Sequence, residues 1–367
     1  MEQEILCRIA LTKIPHIGCV HARTLIETFG DAASIFKSKI SSLEKIDGIG
    51  TIRASSIKNF NSFHECEKEI RFTTQHQIQI LFYSDKNYPR RLQHCHDAPI
   101  LLYYKGNADI NATRMLAIVG TRTNTIYGKD SCESILQDLQ KHDITTISGL
   151  AYGIDTIAHQ TSLKLQLPTI AVLAHGLDRI YPYSNKKLAQ QMIENGGLIT
   201  SFGMGTIPDK QNFPSRNRIT AGMADALVII ETGRKGGSLI TAEIAHSYNR
   251  EIFAIPGRIN DTKSAGCIEL IKSQKALLIS SAADIVDNLG WTNERKPVQK
   301  IQQMNLFREL DAMQKHILGQ FETEQILHIE QILMRTGLSG SSIASALLSL
   351  EMLGLIESIP GKRFRIK

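Results

Sequence analysis

The chain has 367 residues, 42% of them apolar and 21% charged, the profile of a soluble globular protein and not of a disordered one. That length exceeds one ordinary core and predicts two or three domains. No run approaches the roughly 18 apolar residues needed to cross a bilayer, which excludes a helical membrane protein. The formal charge of +6, from 42 Lys and Arg against 36 Asp and Glu, permits a polyanionic partner without demanding one. The N-terminus, Met1-Glu2-Gln3-Glu4, is acidic and leads into an amphipathic pattern, unlike the basic-then-apolar layout of a signal peptide, so a cytoplasmic location is expected. The six cysteines (Cys7, Cys19, Cys66, Cys95, Cys132 and Cys267) include no C-x-x-C pair and read as reduced thiols. Adjacent residues rarely converge on one metal, so His94-Cys95-His96 is not expected to form a site, and no metal or cofactor is expected.

Residues 1–72 read as short helices. Leu6, Ile9, Ala10 and Ile14 recur at helical spacing, Pro15-His16-Ile17-Gly18 is a turn, and Ala22, Leu25, Ile26 and Phe29 mark a second helix closed by Gly30. Gly48-Ile49-Gly50 before a further helix matches a helix-hairpin-helix module, which offers backbone N–H groups to a DNA phosphate. An αα corner with ordinary glycine caps explains the same residues. Residues 73–290 change rhythm. Seven apolar runs alternate with helical stretches: Met115–Gly120, Ile144–Gly149, Thr169–Ala174, Leu198–Phe202, Ala226–Glu231, Glu251–Gly257 and Ala276–Ser280. They predict a doubly wound, mostly parallel α/β sheet whose ligands bind beyond the carboxyl ends of the strands. Residues 291–304, polar and holding Pro297, read as a linker. In residues 305–367, a helix over Ile326–Arg335, the turn Thr336-Gly337-Leu338, a helix ending at Met352 and a basic hairpin make a winged-helix pattern. Such modules bind duplex DNA or dock proteins.

Four loops of the central domain carry the candidate chemistry. Gly120-Thr121-Arg122 follows the first core strand, where glycine admits a close backbone and arginine offers a forked cation to phosphate oxygens. Ser148-Gly149-Leu150-Ala151-Tyr152-Gly153-Ile154-Asp155 is a strand-to-helix nest for an anion. Phe213-Pro214-Ser215-Arg216-Asn217-Arg218 precedes an apolar helix, and Gly233-Arg234-Lys235-Gly236-Gly237-Ser238 is the fourth. Such turns are common in α/β proteins, but four together, three of them cationic, point to one polyanion site. The sequence lacks G-x-G-x-x-G and G-x-x-x-x-G-K-[ST], which argues against a dinucleotide site and a P-loop. Asp155 and His159, four apart, are spaced for an acid–base pair; a helix cap and a packed histidine fit the same spacing and are the expectation.

These strings resemble the DNA-processing protein A family (DprA, also called Smf): Ala117–Arg122, Ser148–Asp155 with Ala158-His159, Phe213–Arg218, Gly236–Ala242 and Phe253–Gly257, with the lead-in Tyr88-Pro89 to Gly106. The match runs from about residue 80 to 285 with order and spacing kept. The resemblance implies an extended Rossmann-like domain flanked by the helical and winged-helix pieces. It further implies a homodimer without enzymatic activity that binds single-stranded DNA and helps load a RecA-type recombinase during natural transformation. By position in the motifs, Gly120, Thr121, Arg122, Ser148, Gly149, Gly153, Asn217, Arg218, Gly236, Gly237 and Ser238 are the expected phosphate-binding residues. Lys186 is expected to flank them, and Tyr152 and Phe213 are candidates for stacking on bases. Two rivals stay open. One is a nucleotide-processing hydrolase with Glu243 as its carboxylate, although Lys235–Glu243 lacks the full P-G-G-x-G-T-x-x-E signature. The other is a regulator acting through the winged helix alone.

Overall fold

The computed structural model describes residues 2–292, 310–321 and 324–366. They fall into two compact units, residues 1–293 and 294–367. In the first, the described residues form a nine-stranded sheet: β1 (Gln79–Phe82), β2 (Leu101–Gly106), β3 (Met115–Val119), β4 (Thr145–Ser148), β5 (Thr169–Val172), β6 (Gly196–Thr200), β7 (Ala226–Ile229), β8 (Glu251–Ala254) and β9 (Leu277–Leu278). Its order is β1-β2-β6-β5-β4-β3-β7-β8-β9. Every pair from β6 to β9 is parallel, whereas β1 and β2, and β2 and β6, are antiparallel.

All seven apolar runs form strands of the parallel part. From β3 to β7 each is buried along its whole length, because helices cover both faces and leave no polar side to alternate with. One face carries the core around Val119, Ile147, Val172 and Ile229; the other carries Ile118, Ile135, Val228 and Phe253. Strand order runs outward from β3 through β4 and β5 to β6 on one side, and from β7 through β8 to β9 on the other. The reversal falls between β3 and β7, and a crevice is expected there at the carboxyl ends.

Helices Glu2–Lys13, Cys19–Phe29, Ala32–Lys37, Ile40–Leu43, Gly50–Lys58 and Phe63–Gln75 precede the sheet. Gly30, at φ +84°, ends the second and donates its N–H to the Ile26 carbonyl, the expected glycine cap. The last helix runs past the expected boundary at residue 72. Ile9, Leu25 and Ile57 share one core with Phe82, Leu101 and Tyr103, so this region packs directly on the antiparallel edge of the sheet. The buried carboxylate of Glu69 pairs with Lys13 at 2.7 Å and accepts the Met204 N–H at 3.1 Å, fastening the last helix to the loop after β6.

The second unit holds β10 (Ile326–His328), helices Ile329–Thr336 and Gly340–Met352, β11 (Ile356–Ile359) and β12 (Arg363–Ile366), with the antiparallel order β10-β12-β11. This is a winged helix with one correction: Ile326–His328, expected to open a helix, pairs with β12, and the helix starts only after the His328 imidazole accepts the Glu330 N–H. From residue 293 on, the expected linker lies outside the described residues. No described helix is long and apolar enough to cross a membrane. All six cysteines are free thiols. His96 packs its exposed ring on Tyr248 while Cys95 is buried toward the Arg91 carbonyl, so those neighbours diverge, and no group of three potential metal ligands occurs among the described residues.

Candidate functional site

A cavity of about 450 Å³ opens at the reversal of strand order, walled by the loops that follow β3 and β7 and by the first turns of two helices. The β3 loop supplies Gly120, Thr121 and Arg122. Its shape is set from β7: the Thr121 N–H donates to the Glu231 carbonyl at 2.7 Å, and the buried Glu231 carboxylate accepts from the Thr125 N–H and hydroxyl at 2.9 and 2.7 Å. The β7 loop supplies Thr232, Gly236, Gly237 and Ser238, and Ser238 donates its hydroxyl to Thr232 at 2.7 Å. Gly236 and Gly237 open the helix Gly237–Ser247, which has no side-chain N-cap; Gly236, Gly237 and Ser238 line the cavity, so the positive end of the helix dipole lies at it. The helix Asn212–Met223 adds Phe213, Arg216 and Asn217, with Lys210 just before it.

Arg216 sits beneath this cavity. Its side chain is 8% exposed, one Nη lies 3.8 Å from the Asp155 carboxylate, and its buried Nε has no hydrogen-bond partner among the described residues. Burial lowers the guanidinium from its ordinary value, Asp155 opposes that shift and Arg122 adds to it; the group keeps its charge, as guanidinium does in proteins. Burial likewise raises the Asp155 carboxyl, against the pull of Arg216 and of the Gly149 and Ala151 N–H groups, which it accepts at 3.2 and 3.3 Å. The guanidinium carbons of Arg122 and Arg216 lie 5.1 and 5.7 Å from the Phe213 ring centroid, so the ring is already engaged by cations within the protein.

The four loops therefore divide their work. Gly120, Thr121, Arg122, Phe213, Asn217, Gly236, Gly237 and Ser238 meet in the cavity. Gly149 and Tyr152 line a narrower adjoining cleft with His175 and Tyr181, which shares Arg122 and Phe213. Gly149 makes room for the buried arginine: a Cβ there would lie 1.1 Å from an Arg216 Nη. Gly153, at φ +76°, lets the second loop touch the first, where a Cβ would meet the Thr121 carbonyl at 2.3 Å. Ser148 does not reach the cavity, because it is buried and donates its hydroxyl to the Ile118 carbonyl at 2.6 Å. Lys186 lies outside both, its ammonium 5.6 Å from the exposed Tyr183 ring. Arg218 turns to the other side of its helix and pairs with Asp97 at 3.1 Å. Lys210 and Arg216 belong to the cavity; Lys210 was not picked out from sequence, and Arg216 was named in its loop without being placed among the phosphate-binding residues. Arg216 stands four residues before Thr220, which lines the same cavity, whereas Arg218 shares the other side of the helix with Ile219.

Asp155 and His159 do not form a pair. The fully buried His159 imidazole bonds the Thr169 hydroxyl at 2.7 Å, and burial first, then Arg216, lowers it from 6.5 to about 3. Glu243, the carboxylate of the hydrolase reading, is half-exposed on its helix and pairs with Lys275 at 2.6 Å. Asp155, held by Arg216 and two N–H groups, is the carboxylate among the described cavity residues.

A family model described as DNA recombination-mediator protein A matches residues 79–290, a DprA winged helix domain matches 307–362, and a helix-hairpin-helix motif matches 8–69. Protein Smf of Synechocystis sp. is 31% identical over 97% of each chain. DNA processing protein DprA of Streptococcus pneumoniae is 43% identical over 55% of this chain and 71% of its own. The X-ray structure of DNA processing protein A from Streptococcus pneumoniae covers 77% of this chain and 97% of its own at a TM-score of 0.68 and 32% identity. The Helicobacter pylori protein, solved for its single-stranded DNA binding mode, covers 59% and 97% at a TM-score of 0.53 and 29% identity. The three matches cover the helical region, the sheet-bearing region and the winged helix in one order, and this chain belongs to the DNA recombination-mediator protein A family.

Proposed function

We propose that this protein binds single-stranded DNA by its backbone, seating a phosphate in the cavity between β3 and β7, and passes the strand to a RecA-type recombinase as a homodimer. The observation that carries the reading is the set of positive groups around that cavity. Arg122 and Lys210 are exposed at its mouth, Arg216 is buried under it with a free Nε, and an uncapped helix N-terminus closes it. Against these stands Asp155, already engaged by Arg216. Charge and backbone N–H groups suit sequence-tolerant binding of a strand by its backbone, and Tyr152, 51% exposed in the adjoining cleft, suits stacking on a base. The occupied state of Asp155 and the outward position of Glu243 favour a binding site over a hydrolytic one.

The test is fluorescence titration of a labelled dT oligonucleotide and a matched duplex across a salt series. Single strands are expected to bind more tightly than duplex. Arg122→Ala and Lys210→Ala should each weaken binding and flatten the log–log salt slope by about 0.7. A slope unchanged in both variants would remove the phosphate from this cavity.

A further inference from the structure

A second cavity, of about 330 Å³, opens where the N-terminal helices meet the sheet. It lies across the helix Asn212–Met223 from the first: Phe213, Arg216, Asn217 and Thr220 face one cavity, and Ser215, Arg218 and Ile219 face the other. Leu11, Ile17, Ile100, Leu101 and Ile219, all buried, form its apolar walls. Exposed or half-exposed Thr12, Ser201 and Ser215 bring hydroxyls to its mouth, beside the pair of Arg218 with Asp97. Tyr248 donates its phenol to the same Asp97 carboxylate, which fixes the anion and through it the arginine. Protein interiors close most voids larger than a water molecule. An opening within the roughly 300–1,000 Å³ of ligand pockets, apolar inside with a few hydrogen-bonding groups at its edge, has the makeup of a site for a flat ring with a polar rim.

We infer that this cavity receives a nucleobase and that Arg218, 48% exposed at its mouth, contacts the phosphate attached to it. The inference rests on the phosphate reading of the first cavity. Exposed Pro214 and Ser215 form the ridge between the two, so a strand anchored beside Arg122 and Arg216 crosses that ridge and turns a base inward. Both cavities then grip one helix from opposite sides, and the arginine that leaves the first site serves the second.

Cys19 lines this cavity and is half-buried, while the other five cysteines are buried. Its alkylation by iodoacetamide, followed by mass spectrometry on the full chain, therefore reports occupancy. A saturating dT oligonucleotide should slow alkylation about tenfold, the weight of one stacked base. An abasic strand of equal length should bind and leave Cys19 reactive. Protection by dTMP would also support a nucleobase site, and protection by dTMP without protection by the strand would assign it to free nucleotides. Failure of dT to bind at all would sink the phosphate reading; Arg122-dependent dT binding with Cys19 alkylated at its free rate, and no protection by dTMP, overturns this inference alone. Gly18→Trp provides a second measurement, because a Cβ at Gly18 meets nothing within 4 Å and its φ of −88° is ordinary. The indole should fill the cavity and weaken dT binding about tenfold with abasic-strand binding unchanged. Equal effects on both strands would contradict the inference.

Discussion

The buried Arg216 and the exposed Arg122 face the same cavity and should fail differently when removed. Arg216→Ala leaves the Asp155 carboxylate, 8% exposed, without its cation, a change that costs about 3–5 kcal/mol when one partner of a buried pair is lost. Thermal melts should show a large drop for Arg216→Ala and none for Arg122→Ala, while both weaken strand binding. Gly149→Ala should reproduce the arginine loss, since the added methyl occupies the position of an Nη. His159 makes the fold acid-sensitive. Its folded value is lowered to about 3 from 6.5, so the folded state binds the proton less tightly than the unfolded one. The stability it confers is complete above about pH 6.5 and is lost on acidification toward the folded value, by at most about 1.4 kcal/mol per pH unit. Urea midpoints measured between pH 7 and 4.5 should fall more steeply for the wild type than for His159→Gln, which keeps a hydrogen-bonding group for Thr169 and cannot titrate. At this scale the sequence was legible wherever a residue type implied its task, as with Arg122 and the glycines at the cavity. It was misleading where two arginines stand two apart in one motif, because residue type does not tell that Arg216 is buried against Asp155 while Arg218 pairs with Asp97 on the other side of the helix.

Among elements, the helix Gly237–Ser247 offers the sharpest separation of binding from folding. A Cβ at Gly237 meets nothing within 4 Å, so Gly237→Asp fits. At the first turn of a helix an acid stabilises by about 0.3–1 kcal/mol, yet here its charge occupies the cavity. The variant should melt no lower than wild type and lose strand binding, and a melt paired with the dT titration reads both. The parallel strands were legible because burial on two faces writes itself as an unbroken apolar run. β1 and β2 were not, because β1 is a short, partly exposed edge strand and β2 joins the sheet antiparallel to β6, which is distant in sequence. Ile326–His328 misread as helix for a related reason: its apolar residues run straight into a genuine helix, and only the hairpin strand β12 holds them extended.

For the molecule as a whole, residues 1–293 and 294–367 have separate cores, the second centred on Ile332, Leu347 and Leu350. Ending the chain after residue 293 should remove one calorimetric transition, leave the other at its original temperature, and keep dT affinity within about twofold, within the spread expected for independent sites. The helical region should not be separable in this way, since it shares its core with β1 and β2. The modular order of three pieces was readable from rhythm alone, whereas the fusion of the first two depends on side chains meeting across a sheet edge. The position of β3 carries one more consequence. Its two neighbours are β4, next in the chain, and β7, whose register sets Val119 against Ile229. A nascent chain emerging from the ribosome therefore builds β3 to β6 with one flank of β3 unpaired and the Thr121 N–H without its Glu231 acceptor. The cavity between β3 and β7 thus takes its final shape late in synthesis, once β7 docks and the Glu231 carbonyl receives the Thr121 N–H.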